Sequence, residues 1–153
     1  MKFCTDLDPE AYSFVPPTFK LSNPIDAKRF SDYQQANPNG TYIAKPQSGS
    51  HGDSIVLFKE LRDLPFALTG KNIIVQRYIE RPLLLDGIKF DLRVYVVVTG
   101  FKPIQAFIYD EGLARFCTAA YETPTKANFN KAFMHLTNYS INKTNENYVN
   151  PTE

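Results

Sequence analysis

The chain has 153 residues, 43% of them hydrophobic and 22% charged, which is enough for the core of one soluble globular domain. Its net charge is +1, far from the positive excess of a typical nucleic-acid-binding protein. Any acidic partner must therefore bind to local patches of positive charge. No apolar run approaches the roughly 20 residues of a membrane span, so we expect a cytosolic protein that binds neither membranes nor nucleic acid.

The first sixty residues predict a helix followed by a hairpin. The proline-punctuated segment through VPPTFKLSNP is expected to be an extended or irregular lead-in. Asn23 as cap, Pro24 at the first helical position and Asp26 in the first turn predict a helix to about Ala36, which ANPNG ends. The candidates for its buried side are Ile25, Phe30 and Tyr33. TYIAK and SIVLF then predict two strands, with the loop PQSGSHGDS as the hairpin tip.

The remaining residues predict mainly strands. KELRDL is expected to form a short helix, KNIIVQRYI a buried strand, and RPLLLDG a connection to a strand at Lys89–Thr99. PIQAFIY and GLARFCT predict two further strands around a turn at Asp110–Gly112. A helix is expected at Ala132–His135, and a polar, loop-like tail follows it.

The strand Lys89–Thr99 carries charge on one face only. Alternation separates its side chains into two sets, with Phe90, Leu92, Val94, Val96 and Val98 on one face and Lys89, Asp91 and Arg93 on the other. Three charges of mixed sign in a row suit a cleft that holds a ligand with phosphates and hydroxyls. A solvated sheet face stabilised by its own ion pairs is the alternative, and the strand alone does not decide between them.

Three other segments have weaker signals. Lys45 precedes a loop with Gly49 and Gly52, which can cradle phosphate, but the loop is not a Walker loop and equally fits a hairpin tip. Arg115 by itself is interpreted as a surface arginine, and QRYI as the end of any buried strand. HLTN at His135–Asn138 could contact a phosphate or help to hold a metal ion.

Metal binding and nucleophilic catalysis are not indicated. Cys4 and Cys117 lie far apart without metal-ligand spacing, which is compatible with free thiols, and the N-terminus lacks the apolar centre of a signal peptide. The chain has two histidines, His51 and His135, and no third ligand stands at a zinc spacing. No cysteine or serine stands near a histidine as a nucleophile stands near its base. We therefore assign no metal ligand.

Several segments occur in a distinctive order. A lysine before a glycine loop is followed by QRYI, PLLLDGIKFDLRVYVVVTG, EGLARF and FMHLTNYSINK. Between about Phe14 and Lys143 this order resembles the tubulin-tyrosine-ligase-like family, with KFDLR and HLTNYSINK as its most specific parts. The resemblance implies an ATP-grasp fold of the α+β class, with a mixed, mostly antiparallel sheet and flanking short helices. It also implies a single partial domain over residues 1–153, without the family's N-terminal lobe and C-terminal metal-binding segment.

The family resemblance implies an enzyme that joins an amino acid to a protein carboxylate. ATP converts the carboxylate to an acyl phosphate, and the amine of the amino acid displaces phosphate, with cationic groups and magnesium stabilising the charge. ATP and Mg²⁺ are the implied cofactors, and the implied partners are free glutamate and the tails of tubulin or microtubules. The implied location is the cytoplasm and its cytoskeleton, the cilium or basal body included.

The resemblance also implies roles for individual residues. Lys45 would contact the ATP phosphates, and Lys89 and Asp91 the nucleotide, with Asp91 near the ribose. Arg93 would lie by the phosphates or the acyl phosphate, and Arg115 would hold the carboxylate of the incoming amino acid, which makes both arginines catalytic candidates. The further nucleotide-binding candidates are Gln76, Arg77, Tyr78, Ile79, Thr137 and Asn138. The further amino-acid-binding candidates are Tyr139 and Ser140.

Departures from the family pattern leave alternatives open. Residues 51–54 read HGDS where related glutamate-adding enzymes read Gln-Gly-Arg-Gly, and the acid Asp53 should weaken ATP binding or turn outward. The chain is about half the size of a family catalytic core, and Glu146 and Asn147 do not match its metal-binding motif. Glutamate is preferred over glycine on the basis of Arg115 and the TNYS context. The alternatives are a glycine ligase, a non-catalytic ATP- or microtubule-binding remnant, and a small α+β interaction module.

Overall fold

The computed structural model describes residues 8–47, 54–65, 68 and 72–150. Contacts divide the chain into two compact units. The first unit comprises the residues up to Arg81 together with Thr123–Asn130, and the second comprises Pro82–Glu122 and the residues from Lys131 onward. This division does not test the expectation of one partial domain over residues 1–153, which stays a prediction.

The first unit is an antiparallel sheet with a helix on one face. Its strands are β1 (Thr18–Lys20), β2 (Tyr42–Pro46), β3 (Val56–Phe58) and β4 (Ile73–Arg77), in the spatial order β1-β4-β2-β3. Helix α1 (Pro24–Ala36) precedes β2, and a 3₁₀ turn lies at Leu61–Asp63. The predicted helix and the predicted pairing of TYIAK with SIVLF are confirmed, while the tip of their hairpin lies outside the described residues. The lead-in does more than expected, because β1 pairs with β4.

Alternation along β2 and β4 decides which side chains enter the core. One face of the sheet packs against α1, where the rings of Phe30 and Tyr42 meet edge to face with centroids 5.1 Å apart. The core residues are Phe19, Phe30, Tyr42, Ala44, Phe58, Leu68, Ile73 and Val75. The same period of two sends Lys45 and Gln76 to the opposite face, where both are partly exposed. That second face therefore carries these polar side chains beside the apolar Ile43, Ile74 and Leu57.

Helix α1 begins as predicted, and two of its three predicted core residues pack inward. The Asn23 side chain accepts hydrogen bonds from the backbone N–H of Ile25 at 2.9 Å and of Asp26 at 3.4 Å. Phe30 is fully buried and Tyr33 packs against the core, but Ile25 is 72% exposed, so its predicted burial is wrong. A helix turns about 100° per residue, which places Ile25 about 140° from Phe30 around the axis. Asp26 lies between these positions and is buried instead.

The second unit is built on a long hairpin. Strands β6 (Ile88–Phe101) and β7 (Ile104–Ala120) pair antiparallel, and β5 (Leu84–Leu85) pairs with the start of β6. The predicted connection RPLLLDG thus contains a strand and a tight turn. Asp86 and Gly87 have φ angles of 51° and 76°, and positive values at both positions are typical of a type I′ hairpin turn.

The turn predicted at Asp110–Gly112 is wrong. Strand β7 runs through this segment, and the chain reverses at Lys102–Pro103 instead. The register shifts between Val94 and Val96 of β6, and opposite this point Tyr109–Glu111 form a bulge in β7. Glycine and acidic residues occur in both turns and bulges, so the local sequence did not distinguish them.

The apolar face of β6 is more exposed than that of a half-buried strand. Leu92, Val94 and Val96 are 63%, 54% and 54% exposed. Two short helices follow the hairpin, α2 (Ala132–His135), which is confirmed, and α3 (Tyr139–Asn142), where a loop was expected. Among the described residues, no helix combines the length and apolar character needed to cross a membrane.

Candidate functional site

Lys45 takes part in a row of polar contacts on the face of the first sheet opposite α1. Its Nζ donates to Gln76 Oε1 at 3.2 Å, and Gln76 Nε2 donates to Thr18 Oγ1 at 2.8 Å. The glycine loop that follows Lys45 lies at residues 48–53, outside the described part of the chain. Lys45 and Gln76 are therefore brought together on one surface, as expected of neighbouring strands.

Two backbone N–H groups of the segment Gln76–Ile79 already donate hydrogen bonds within the protein. The N–H of Arg77 donates to Pro17 O and the N–H of Tyr78 donates to Thr41 O, both at 2.9 Å. Tyr78 is buried, while Ile79 is 55% exposed. The N–H groups of Arg77 and Tyr78 are therefore taken by carbonyl oxygens of the protein itself.

The Arg77 side chain is held inside the first unit by Glu80, a residue that the sequence did not single out. Arg77 Nη2 lies 3.2 Å from Glu80 Oε1, which also accepts the Thr41 N–H at 2.8 Å. The Arg77 guanidinium lies 5.6 Å from the centroid of the Tyr42 ring. A Cβ on Gly40 would come within 1.7 Å of Arg77 Nη1, so any other residue there would displace the guanidinium from this position. The Glu80 side chain thus organises the turn that leads out of β4.

In the second unit, Asp91 and Arg115 form a bidentate ion pair across β6 and β7. Arg115 Nε lies 3.1 Å from each carboxylate oxygen, and Nη2 makes a closer contact with Oδ2. Burial of Asp91 favours its neutral form, but hydrogen bonds from Arg115 and Thr137 and the charges of Arg115 and Arg93 outweigh it, so the pKa of Asp91 is lowered. The hydrogen bonds that Arg115 donates to Asp91 in turn raise the pKa of Arg115.

Arg93 stands on the same face of β6 as Asp91. It lies opposite Leu113 in the register, and its side chain is exposed. Within the described residues the Arg93 guanidinium makes no hydrogen bond and no ion pair, although its charge acts on Asp91. The face therefore has an ion pair of its own, as the solvated-face alternative expected, together with a cation that the pair does not neutralise.

Lys89 lies deeper in the second unit than the other two charges of its strand. Its Nζ donates to the carbonyl oxygen of His135 at 2.8 Å, and burial lowers the pKa of Lys89. The Cys117 side chain is buried nearby as a free thiol, and burial raises its pKa to about 11. Lys89 thus links β6 to the end of α2.

Asn142 is a site-forming residue that the sequence analysis missed. It is buried, its Oδ1 accepts from the N–H and hydroxyl of Thr118 at 2.9 and 3.0 Å, and its Nδ2 donates to the carbonyls of Leu136 and Asn138 at 2.7 and 3.0 Å. These four bonds hold the segment around Thr137 against β7. Its position inside NYSINK, the motif that carried the family resemblance, was the available signal.

The remaining predicted residues of the second unit lie in the segment that the Asn142 hydrogen bonds hold. Thr137, Asn138 and Ser140 are partly buried, while Tyr139 is 58% exposed. The Tyr139 ring contacts the Tyr148 ring and lies under Lys143 Nζ at 5.3 Å. The second unit therefore gathers Lys89, Asp91, Arg93, Arg115 and Thr137–Ser140, whereas Lys45 and Gln76–Ile79 belong to the first unit.

Comparisons with known proteins agree with these motifs. The tubulin-tyrosine ligase family matches residues 4–153. Tubulin polyglutamylase ttll6 of Danio rerio is 46% identical over 143 residues, and human Tubulin polyglutamylases TTLL13 and TTLL7 are 45% and 40% identical. These alignments cover 92% to 94% of this chain but only 16% to 18% of the three relatives, so the chain spans less than a fifth of their length.

A solved structure supports the same assignment. The C-terminal domain of K. lactis Pby1, described as an ATP-grasp enzyme that interacts with the mRNA decapping enzyme Dcp2, aligns with a TM-score of 0.50 and 26% identity. The alignment covers 84% of this chain and 41% of that domain. The expected α+β, ATP-grasp-like fold with antiparallel sheets is confirmed. From the family match and these relatives, we conclude that the chain belongs to the tubulin-tyrosine ligase family.

Proposed function

We propose that this chain is part of an ATP-dependent ligase that joins glutamate to a carboxylate of tubulin or a similar acidic-tailed protein. The observation that carries the proposal is the arrangement of Arg93 beside the Asp91–Arg115 pair. It presents two guanidinium groups and one carboxylate on a single face, so an excess positive charge remains for anionic ligands. The similarity to proteins named tubulin polyglutamylases supports the choice of tubulin and glutamate.

Arg115 suits the carboxylate of an incoming amino acid. A guanidinium has five N–H donors in a planar fork, and Asp91 takes the edge formed by Nε and Nη2. The end of the fork at Nη1 has no hydrogen bond within the described residues, so it can meet a second carboxylate. Asp91 then acts as a positioning residue that fixes the plane of Arg115, and it offers little further acceptor capacity to a ribose.

Lys45 and the backbone around Ile79 are the nucleotide-binding groups of the first unit in this proposal. The ammonium of Lys45 suits a phosphate, and the backbone N–H and C=O of Ile79, a residue that is 55% exposed, suit the edge of adenine. In the second unit we propose Lys89, Thr137 and Asn138 as further nucleotide-binding groups. The sites of Tyr139 and Ser140 are assigned to the amino acid.

The proposed reaction has two steps. The terminal phosphoryl group of ATP moves to an oxygen of the acceptor carboxylate, and ADP leaves. The amine nitrogen of glutamate then attacks the acyl carbon, the bond from that carbon to the phosphate oxygen breaks, and inorganic phosphate and a proton are released. Arg93 stabilises the negative charge that develops on the transferring group, because its guanidinium is not neutralised by a partner.

Magnesium is expected of an ATP-grasp ligase, but the described residues do not form a site for it. No three His, Cys, Asp or Glu side chains come together in the described ranges, and the carboxylate of Asp91 is taken by Arg115 and Thr137. We therefore assign no metal ligand and no step to the ion. The proposed place of action is the microtubule cytoskeleton in the cytoplasm, cilia included.

A direct assay tests the proposal. The chain is incubated with magnesium, labelled ATP, tubulin and either glutamate or glycine, and transfer to tubulin is measured together with ATP binding. Glutamate transfer supports the proposal, glycine transfer replaces the amino acid, and ATP binding without transfer supports the non-catalytic remnant. Arg93→Ala should abolish transfer, whereas Arg62→Ala removes an exposed arginine paired with Glu60 and should leave transfer unchanged.

A further inference from the structure

Four polar groups form a row of hydrogen bonds, called the relay below, on the face of the first sheet opposite α1. Lys45 Nζ donates to Gln76 Oε1 at 3.2 Å, Gln76 Nε2 donates to Thr18 Oγ1 at 2.8 Å, and Thr18 Oγ1 donates to Pro16 O at 2.8 Å. The relay spans three neighbouring strands, because β4 carries Gln76 between β1 and β2. A residue near the N-terminus of the sheet is thereby connected to the candidate phosphate-binding lysine.

The two ends of the relay dictate its direction. The Pro16 carbonyl can only accept, so the single hydroxyl proton of Thr18 goes to it, and Thr18 Oγ1 must accept from Gln76. At the other end the Lys45 ammonium can only donate, so Gln76 must offer its carbonyl oxygen. Both ends require the same orientation of the Gln76 amide. A flipped amide would place its NH₂ group against the ammonium and its oxygen against an oxygen that has no proton left to give.

We propose that Thr18 is a positioning residue for Lys45. The lysine side chain has four rotatable bonds, and its contact with Gln76 selects among its conformations only while the amide keeps its orientation. Thr18 maintains that orientation from the far side. Lys45 uses one of its three donors for Gln76, so the others can meet a phosphate at little further ordering cost. This inference rests on the proposed function in that ATP is the anion that Lys45 meets.

The relay can be broken without disturbing the sheet. Valine has nearly the shape of threonine and the same preference for strands, so Thr18→Val removes the hydroxyl and little else. Thr18→Ser keeps the hydroxyl and serves as the matched control. Gln76→Ala removes the middle of the relay, and adding Thr18→Val to it should then have no further effect.

The first measurement is ATP binding by the chain and its variants. Thr18→Val should weaken binding about three- to tenfold, the loss expected for one hydrogen bond, and Thr18→Ser should bind like the unaltered chain. Unchanged binding by Thr18→Val overturns the inference. If the unaltered chain does not bind ATP, it is the nucleotide role of Lys45 that fails, and a second measurement decides the relay.

That second measurement needs no nucleotide. Nuclear magnetic resonance reports the side-chain NH₂ group of Gln76 and the mobility of the Lys45 ammonium. Thr18→Val should shift the Gln76 signals and increase the motion of Lys45 Nζ, and Thr18→Ser should restore both. If Lys45 is equally mobile in all three proteins, Thr18 does not position it.

Discussion

Asp91 holds Arg115 across the strands β6 and β7 by its two carboxylate oxygens, and both side chains are one-third exposed. Asp91 occupies the edge of Arg115 formed by Nε and Nη2, and Nη1 makes no hydrogen bond within the described residues. Arg93 stands two residues along β6 on the same face. This arrangement links the register of a hairpin to the placement of its cations.

Asp91→Asn should weaken the proposed ligase chiefly through amino-acid binding. The amide cannot accept the bidentate contact, so Arg115 loses its fixed plane, and KM for glutamate should rise about five- to tenfold. The free energy of unfolding should fall by about 1 kcal/mol, since partial exposure screens the pair. Steady-state kinetics and urea unfolding measure the two effects. An Asp91→Asn protein with unaltered KM would contradict the positioning role.

Acid should remove the contribution of Asp91 to stability. Its folded-state pKa is lowered from the ordinary value of 3.8, so the stabilisation is present above that value and is lost as pH falls below it through the folded-state pKa. Urea midpoints should therefore decline less steeply below pH 3.8 in Asp91→Asn than in the unaltered chain. Asp63 also has a lowered pKa, so a slope should remain in the variant.

Gly112→Ala should disturb the hairpin at Arg93. A Cβ at Gly112 would lie 2.6 Å from the backbone oxygen of Arg93, which cannot move without separating the strands. We expect a loss of about 2 kcal/mol in the free energy of unfolding. Gly100→Ala, where the nearest atoms lie 3.3 Å away, is the matched control on the same hairpin and should cost less. Equal losses in the two variants would argue against a special close approach at Gly112.

Asn142→Ala should loosen the segment around Thr137. The change leaves the Thr118 donors and the Leu136 and Asn138 carbonyls without their partner, so the free energy of unfolding should fall by about 2 kcal/mol. Calorimetry or urea unfolding measures the loss. Asn147→Ala, at an exposed asparagine in the same segment, should change stability by less than about 0.5 kcal/mol. An equal loss of stability in both variants would show that the Asn142 side chain does not hold this segment in place.

Local sequence was enough for elements whose signals lie within a few residues. Asn23 and Pro24 placed the start of α1, and alternation in TYIAK and SIVLF placed a hairpin. The motif order that includes KFDLR and HLTNYSINK was sufficient to indicate the family. These signals succeed because caps, strand alternation and short motifs depend on neighbouring residues alone.

Only the tertiary structure decided the features that depend on register and burial. Tyr109–Glu111 form a bulge and not a turn because β7 continues to pair with β6 on both sides of them, and no local preference reports that pairing. Asp91 meets Arg115, and Asn142 meets Thr118, because distant strands and a helix come together at fixed offsets. A side chain's partners are set by the whole path of the chain, so residue types alone could nominate the charges at this site but not pair them.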